Sequence, residues 1–303
     1  MKSSCLAACM ALLLATACLD FEKQTMTACY YPKTDTMFIL QNYEGIFGDD
    51  LGDEPSEREF DELNSVLNGR ATFFFDNFGA VYDADQLAES IVEMKAELAK
   101  GNAELDGAIV ERQIGLIKLL LASVKIETGP FYLKKNNRLC GVQRVTVRNV
   151  KKIVEAVNIS LRDLILSEPN DGDLDDDSWA LLRKAAARGE DLLLIKGNQM
   201  QMRLPVTARG YRQVFLAKDD SVGEKLTRFG IHLAHVGQLA TLTIGKPGAS
   251  QMVLSGKKKN EEKYVPNMVR EVRARVGLEE GFDLPKYTKE FFAICDKKYG
   301  GKR

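Results

Sequence analysis

Two apolar rhythms alternate along this chain, and a sequence that carries both must pair helices with sheets. The helical rhythm, with hydrophobic residues three and four apart, runs over Phe60, Leu63 and Leu67, then over Leu87, Ile91, Met94 and Leu98. It is most regular over Val150, Ile153, Val154, Val157, Leu161, Leu164 and Ile165. Each stretch has its punctuation: Pro55 near the first start and Asn68-Gly69 at its end, Asp83 or Asp85 before the second and Gly101 after it, Pro169 after the third. Residues 108–126 are apolar around most of a helix circumference, but Glu111, Arg112, Lys118 and Lys125 interrupt them. Such charges are costly in lipid, so this segment reads as a central packed helix. A final helix carries Met268, Val269, Val272 and Val276.

The strand rhythm appears first as a continuous apolar run, Met37 to Leu40, and again over Ala71 to Phe75. Beyond a chain break at Gly129-Pro130, residues 131–133 and 142–147 read as a pair of strands. The second half is richer in strands. Residues 192–195, Gly197-Asn198 and the alternation of Met200, Met202 and Leu204 with Gln199, Gln201 and Arg203 spell a hairpin with one wet face. A helix through Tyr211, Val214 and Phe215 follows. A second hairpin then joins Ile231 to Val236 with Ala240, Leu242 and Ile244, and Pro247-Gly248 turns a meander into Met252 to Leu254. The expected fold class is α+β, with helices packed on antiparallel sheets in two sub-domains, 34–169 and 178–303. The acidic stretch 170–177 is the expected linker, and residues 18–33, which lack apolar periodicity, read as a tether.

Hydrophobic residues make up 45% of the 303-residue chain and charged residues 28%, the balance of a folded body and not of a disordered one. Forty-two basic residues face forty-three acidic ones, interspersed along the chain. Lys257, Lys258 and Lys259 form the one basic run, and Glu261 and Glu262 follow at once. A phosphate-binding surface needs clustered, uncompensated cations, so nucleic acid is not an expected partner.

The N-terminus carries an address. Lys2 supplies one charge, and residues 5–17 then carry none, ending in small side chains. That stretch is shorter than the roughly 20 residues a spanning helix requires, so residues 1–17 read as a signal segment. At its end, Leu14-Ala15-Thr16-Ala17-Cys18 resembles the lipobox of bacterial lipoproteins. A similar string, Leu6-Ala7-Ala8-Cys9, has no apolar stretch ahead of it to present it for processing. The resemblance covers residues 1–18 and implies cleavage before Cys18 and attachment of diacylglycerol to its thiol. The acyl chains would then tether the protein to a membrane. Leu19 occupies the place where Asp retains such proteins at the inner membrane, so the resemblance favours the outer membrane, facing the periplasm. The other reading is an ordinary secretory signal cut near Ala17, with Cys18 a plain thiol. In either case Cys29, Cys140 and Cys295 remain in the mature chain. In an oxidising compartment one pair could join, and the sequence does not choose which; all three could equally pack as small hydrophobes.

Chemistry-bearing motifs are sparse. Asp171, Asp173, Asp175 and Asp177 alternate as in a calcium loop, but Asp176 stands where the loop needs Gly and Leu182 where it needs Glu. An acidic linker whose last residues cap the helix holding Trp179 and Leu182 fits better and leaves weak calcium binding open. His232 and His235, the two histidines, sit on a strand pattern that points them to opposite faces. Ser255-Gly256-Lys257-Lys258 fits Ser-x-x-Lys without the companion motifs. Phe73, Phe74, Phe75 and Phe78 read as core. No catalytic residue, metal ligand or cofactor is therefore assigned, and Cys18 is the one site residue. The expected role is non-enzymatic: an envelope lipoprotein that binds a protein or another envelope component. The alternative is an envelope hydrolase of glycans or lipids, working through carboxylates near 49–54 or 170–177. Two facing carboxyls in a cleft would favour the hydrolase, and an exposed apolar patch without them the binder.

Overall fold

A computed structural model describes residues 19–48, 56–72, 82–100, 106–134, 137–170, 174–216, 222–257 and 266–300. The signal segment, Cys18, the acidic residues 49–54, Phe73 to Phe75, Phe78, Asp171, Asp173, Lys258 and Lys259 lie outside them. The protein is α+β, with two antiparallel sheets. Its contacts divide it into two units. One draws on residues up to Val92, on Ser123–Arg148 and on the chain from Ser255; the other is Glu93–Ala122 with Asn149–Leu254. The division differs from the expected halves: segment 170–177 falls inside the second unit, and each unit is assembled from separated stretches.

The first unit is built on a five-stranded sheet in the order β3-β4-β2-β1-β9. Here β1 is Leu19–Tyr31, β2 Thr36–Gly48, β3 Val124–Leu133, β4 Leu139–Arg148 and β9 Met252–Lys257. The expected tether is corrected: residues 19–31 form a thirteen-residue strand inside this sheet. It shows no alternation because it buries polar side chains, Glu22, Gln24 and Thr27, beside apolar ones. Glu22 is held by Arg138 Nη1 at 2.6 Å. It passes so close to Gly45 (φ +67°) that a Cβ there would stand 2.7 Å from its side chain. On the same sheet the buried Tyr43 O–H donates to Gln143 Oε1 at 3.0 Å, and Gln143 Nε2 donates to Ala71 O at 3.1 Å. Tyr43 and Gln143 thus satisfy one another within this buried polar layer, whereas Gln24 Oε1 has no hydrogen-bond partner among the described residues.

Three further expectations shift here. The apolar helix, α3 (Gly107–Ser123), stops short of the expected end, and Val124 to Ile126 already belong to β3. Gly129-Pro130 is not a break but a bulge within β3, where the register against β4 slips between Thr128 and Phe131; proline has no N–H to give a ladder, and a bulge asks for none. Ala71 makes only an isolated bridge with Asp83 among the described residues. The helices α1 (Glu57–Leu67) and α2 (Ala84–Ala99) form where their stripes predict. In α1, Ser56 and Glu59 close a capping box, with Glu59 N to Ser56 Oγ at 3.3 Å and Ser56 N to Glu59 Oε2 at 2.7 Å.

Beyond α8 (Pro266–Val276), the chain forms another helix, α9 (Leu284–Cys295), continued by a π-helical turn, Asp296–Gly300. Asp283 caps α9 by accepting from Lys286 N at 3.0 Å, and Pro285 occupies its first turn. Phe292 and Cys295 of α9 share one buried cluster with Cys29, Tyr31, Phe38, Leu40, Tyr132, Cys140 and Val142.

The second unit holds a four-stranded sheet, β5-β6-β8-β7, from β5 (Leu193–Ile195), β6 (Met200–Pro205), β7 (Ile231–Val236) and β8 (Leu239–Ile244). Both expected hairpins are present in the expected register, Ile195 opposite Met200 and Val236 opposite Leu239. The strand expected to extend this meander, β9, instead lies beside β1 in the other sheet, where Ser255 Oγ meets Gln24 O at 3.3 Å. Besides α3, the described helices of this unit are α4 (Val150–Ser167), α5 (Asp176–Ala187), α6 (Ala208–Phe215) and α7 (Val222–Arg228). Ile165 of α4 and Leu182 and Ala186 of α5 bury with Leu192, and Trp179 packs against them. Phe215 of α6 buries with Val206 and Ala240.

Candidate functional site

Strand periodicity sorts the side chains of the four-stranded sheet into two sets. Leu204, Leu233, Ala240 and Leu242 pack with Tyr211, Val214, Phe215 and Leu226 of the neighbouring helices. His235 belongs to this inner set: its ring stacks on Tyr211 at 4.7 Å, and Nε2 lies 3.2 Å from Val206 O. His232, three residues away, is exposed on the other face. The two histidines are thus separated by the sheet, as their spacing predicts, and cannot share an ion.

The outer set follows from the register. Leu194, Gln201, Thr243 and His232 form one cross-strand row, Arg203, Thr241 and Ala234 the next, and Pro205, Leu239 and Val236 the third. The third row is apolar and open, with Val236 78% and Leu239 36% exposed. At the β5 and β6 side of this face lies a cavity of about 420 Å³, lined by Glu190, Asp191, Leu192, Leu194, Arg203, Pro205 and Leu239. Arg203 stands exposed in its lining and makes no ion pair among the described residues.

The two carboxylates of the cavity are Glu190 and Asp191. They are consecutive in the chain, and each already has a cationic partner. Glu190 accepts from Arg188 at 2.6 Å, and Asp191 from Arg162 Nη1 at 3.2 Å. Arg162 Nη1 also donates to Gly189 O at 3.1 Å, so the turn before β5 is fixed around these pairs. What the surface offers is apolar area, an arginine with no ion pair among the described residues and exposed sheet, which are binding features.

The remaining residues that the sequence singles out have structural partners. Asp175 is the N-cap of α5, as expected, with Oδ1 accepting from Ser178 N at 3.1 Å and Oδ2 from Ser178 Oγ at 2.6 Å. Ser178 Oγ in turn accepts from Thr207 N at 2.9 Å, and Thr207 Oγ1 accepts from Gly210 N at 3.0 Å, so the caps of α5 and α6 are one cluster. The Asp175 carboxyl is held below the usual carboxylate range, first by the Ser178 hydroxyl. That carboxylate serves as a helix cap, while Asp171 and Asp173 lie outside the described residues. Among the described residues no group of three His, Cys, Asp or Glu side chains is placed to hold a metal. Ser255 lies in β9, in hydrogen-bond range of Thr25 at 3.3 Å. Cys29, Cys140 and Cys295 are buried thiols, and burial raises the pKa of Cys140 and Cys295.

The sequence marks the wet face of the first hairpin but not the cavity beside it, which depends on three strands meeting the turn at 190–191. No protein-family model matches this chain, and no curated protein or solved structure does either.

Proposed function

We propose that this protein is exported, tethered to the cell envelope by lipid on Cys18, and binds an envelope protein through the open face of the β5–β8 sheet. The observation that carries the reading is the apolar row of half-buried Pro205 with exposed Leu239 and Val236, beside a cavity whose arginine has no anionic partner among the described residues. An isolated exposed apolar residue is ordinary; two adjoining ones continued by a half-buried proline across three strands, bordering a cavity, are the kind of surface that a partner covers. A partner presenting apolar side chains with a carboxylate would complete the row and pair with Arg203. The export reading rests on the uncharged segment 5–17 and its resemblance to a lipobox. Among the described residues no helix is long and apolar enough to cross a membrane, so a lipid on Cys18 would be the means of attachment.

The test is the intact mass of the protein and its company after mild extraction from its host's membrane fraction. A chain starting at Cys18, heavier by acyl groups and accompanied by another protein, is the expected result. Val236→Glu with Leu239→Glu should release that partner while leaving the acyl mass in place. An unprocessed chain in the soluble fraction overturns the tether, and a partner retained by the double variant overturns the surface.

A further inference from the structure

The buried cluster of the first unit holds three thiols, and the register of its sheet separates them. Cys29 on β1 stands opposite Phe38 of β2, whereas Cys140 on β4 stands opposite Glu44 of the same strand. Glu44 lies six residues beyond Phe38, about 20 Å along a strand at roughly 3.3 Å per residue. A disulfide asks for Cα atoms within about 7 Å, so Cys29 and Cys140 cannot join in this fold.

Helix α9 excludes a second pair by the same reasoning. Just ahead of it, Phe282 packs on Tyr132 with ring centroids 4.5 Å apart, and Tyr132 is the cross-strand partner of Cys140. Cys295 closes α9, a helix of 12 residues; at about 1.5 Å per residue that places it roughly 18 Å further on. Cys140 therefore sits by the start of the helix and Cys295 at its end.

That end lies at Cys29. Phe291, one turn before Cys295, meets Phe38 edge-on at 6.4 Å, and Tyr299, one turn after, lies 4.7 Å from the same ring. Phe38 is the residue directly opposite Cys29. The Tyr31 O–H, two residues along β1 on the same face, donates to Asp296 Oδ1 at 2.9 Å. The immediate neighbours of one cysteine thus touch the immediate neighbours of the other on both sides. The two thiols are 2% and 4% exposed within one cluster. Their electrostatic coupling agrees: the Cys295 thiol is pushed up to about 11, chiefly by burial and next by the charge of Cys29.

We propose that Cys29 and Cys295 are a redox pair that closes into a disulfide when the chain folds in an oxidising compartment, fastening the C-terminal helix to strand β1, while Cys140 stays a thiol. The compartment rests on the export reading above; the choice of pair does not. The chemistry is exchange with an external disulfide, of a small thiol such as glutathione or of an oxidoreductase. One cysteine thiolate displaces a thiol from that disulfide, the second attacks the mixed disulfide, and the external disulfide leaves as two thiols carrying both electrons and both protons. Because both sulfurs are buried, closure occurs while α9 is docking. Once the native reduced protein has formed, the same oxidant acts on it at least about tenfold more slowly, since thiolate is scarce and access needs the helix to open.

The experiment uses the full chain carrying Cys5→Ser, Cys9→Ser and Cys18→Ser, reduced, unfolded and refolded with glutathione poised oxidising, then alkylated, digested and weighed. The expected product is a Cys29 peptide joined to a Cys295 peptide, with Cys140 alkylated only after denaturation. Adding Cys140→Ser should leave the link intact, and the oxidised chain should melt several degrees above its reduced form. A link through Cys140, or three alkylatable thiols after oxidative refolding, overturns the proposal. A link formed in the tube but absent from the chain isolated from its host overturns the export reading and leaves the pairing standing.

Discussion

Replacing Asn158 should unfasten an edge of the second unit's sheet. This residue of α4 is 2% exposed, and its amide binds backbone on β5 and the residue before it. Its Oδ1 accepts from Leu192 N at 2.9 Å and Leu193 N at 2.7 Å, and its Nδ2 donates to Leu193 O at 2.8 Å. Arg203 N already donates to Leu192 O across the hairpin at 2.7 Å. By the alternation of an antiparallel ladder, the polar groups of Leu193 therefore point away from β6, and one side-chain amide takes the place of a missing strand. Asn158→Ala deletes three hydrogen bonds at about 1 kcal/mol each and strands the buried Leu192 N–H for about 1–2 kcal/mol more, a loss of roughly 4–5 kcal/mol. Trp179, the chain's one tryptophan, packs in the cluster that contains Leu192 and so reports on this unit. Urea unfolding followed by its fluorescence should show the midpoint falling by about 1–2 M. Asn158→Asp keeps both accepting bonds and loses the donor, so its midpoint should lie between those of the native protein and the alanine variant. An alanine variant within about 1 kcal/mol of the native protein would refute the edge-fastening role of Asn158.

Gly210→Ala should destabilise the same unit by about 1–3 kcal/mol, because its Cβ would stand 2.2 Å from Ser178 Oγ and 2.5 Å from Asp175 Oδ2 in the fused caps; Trp179 fluorescence again reads the change. Asp175 has a folded pKa below the ordinary carboxylate value of about 3.9. Its contribution is complete above that value and is lost as pH falls through the lower folded one. The urea midpoint should therefore drop below about pH 4, and Asp175→Asn should show a shallower acid limb; an unchanged limb would remove Asp175 from the acid response. Gly45→Ala must hold a side chain at φ +67° and displace Glu22 from its pairing with Arg138, so the first unit should lose about 2–3 kcal/mol in denaturation followed by circular dichroism.

Much of the secondary structure was legible because local periodicity is a local property. The stripe from Val150 to Ile165 gives α4, Asn68-Gly69 ends α1, and both second-half hairpins pair in the register their turns dictate. Legibility fails where burial does not follow polarity. Strand β1 hides Glu22 and Gln24 in a core, so no alternation marks it. Helix α9 could have been found: Asp283 followed by Leu284-Pro285 is a start signal, and Phe291, Phe292 and Cys295 recur at helical spacing.

The class, the positions of most elements, the separation of the two histidines and the cap at Asp175 are written in the chain, because each depends on residues within a turn or a strand of one another. Which sheet receives β9, which face of β5–β8 stays open beside Arg203, how Asn158 closes the edge, and that Cys295 lies by Cys29 and not by Cys140, emerge only on folding. Those outcomes join residues far apart in the chain. Strand order and helix docking bring them together, and no local spacing encodes either.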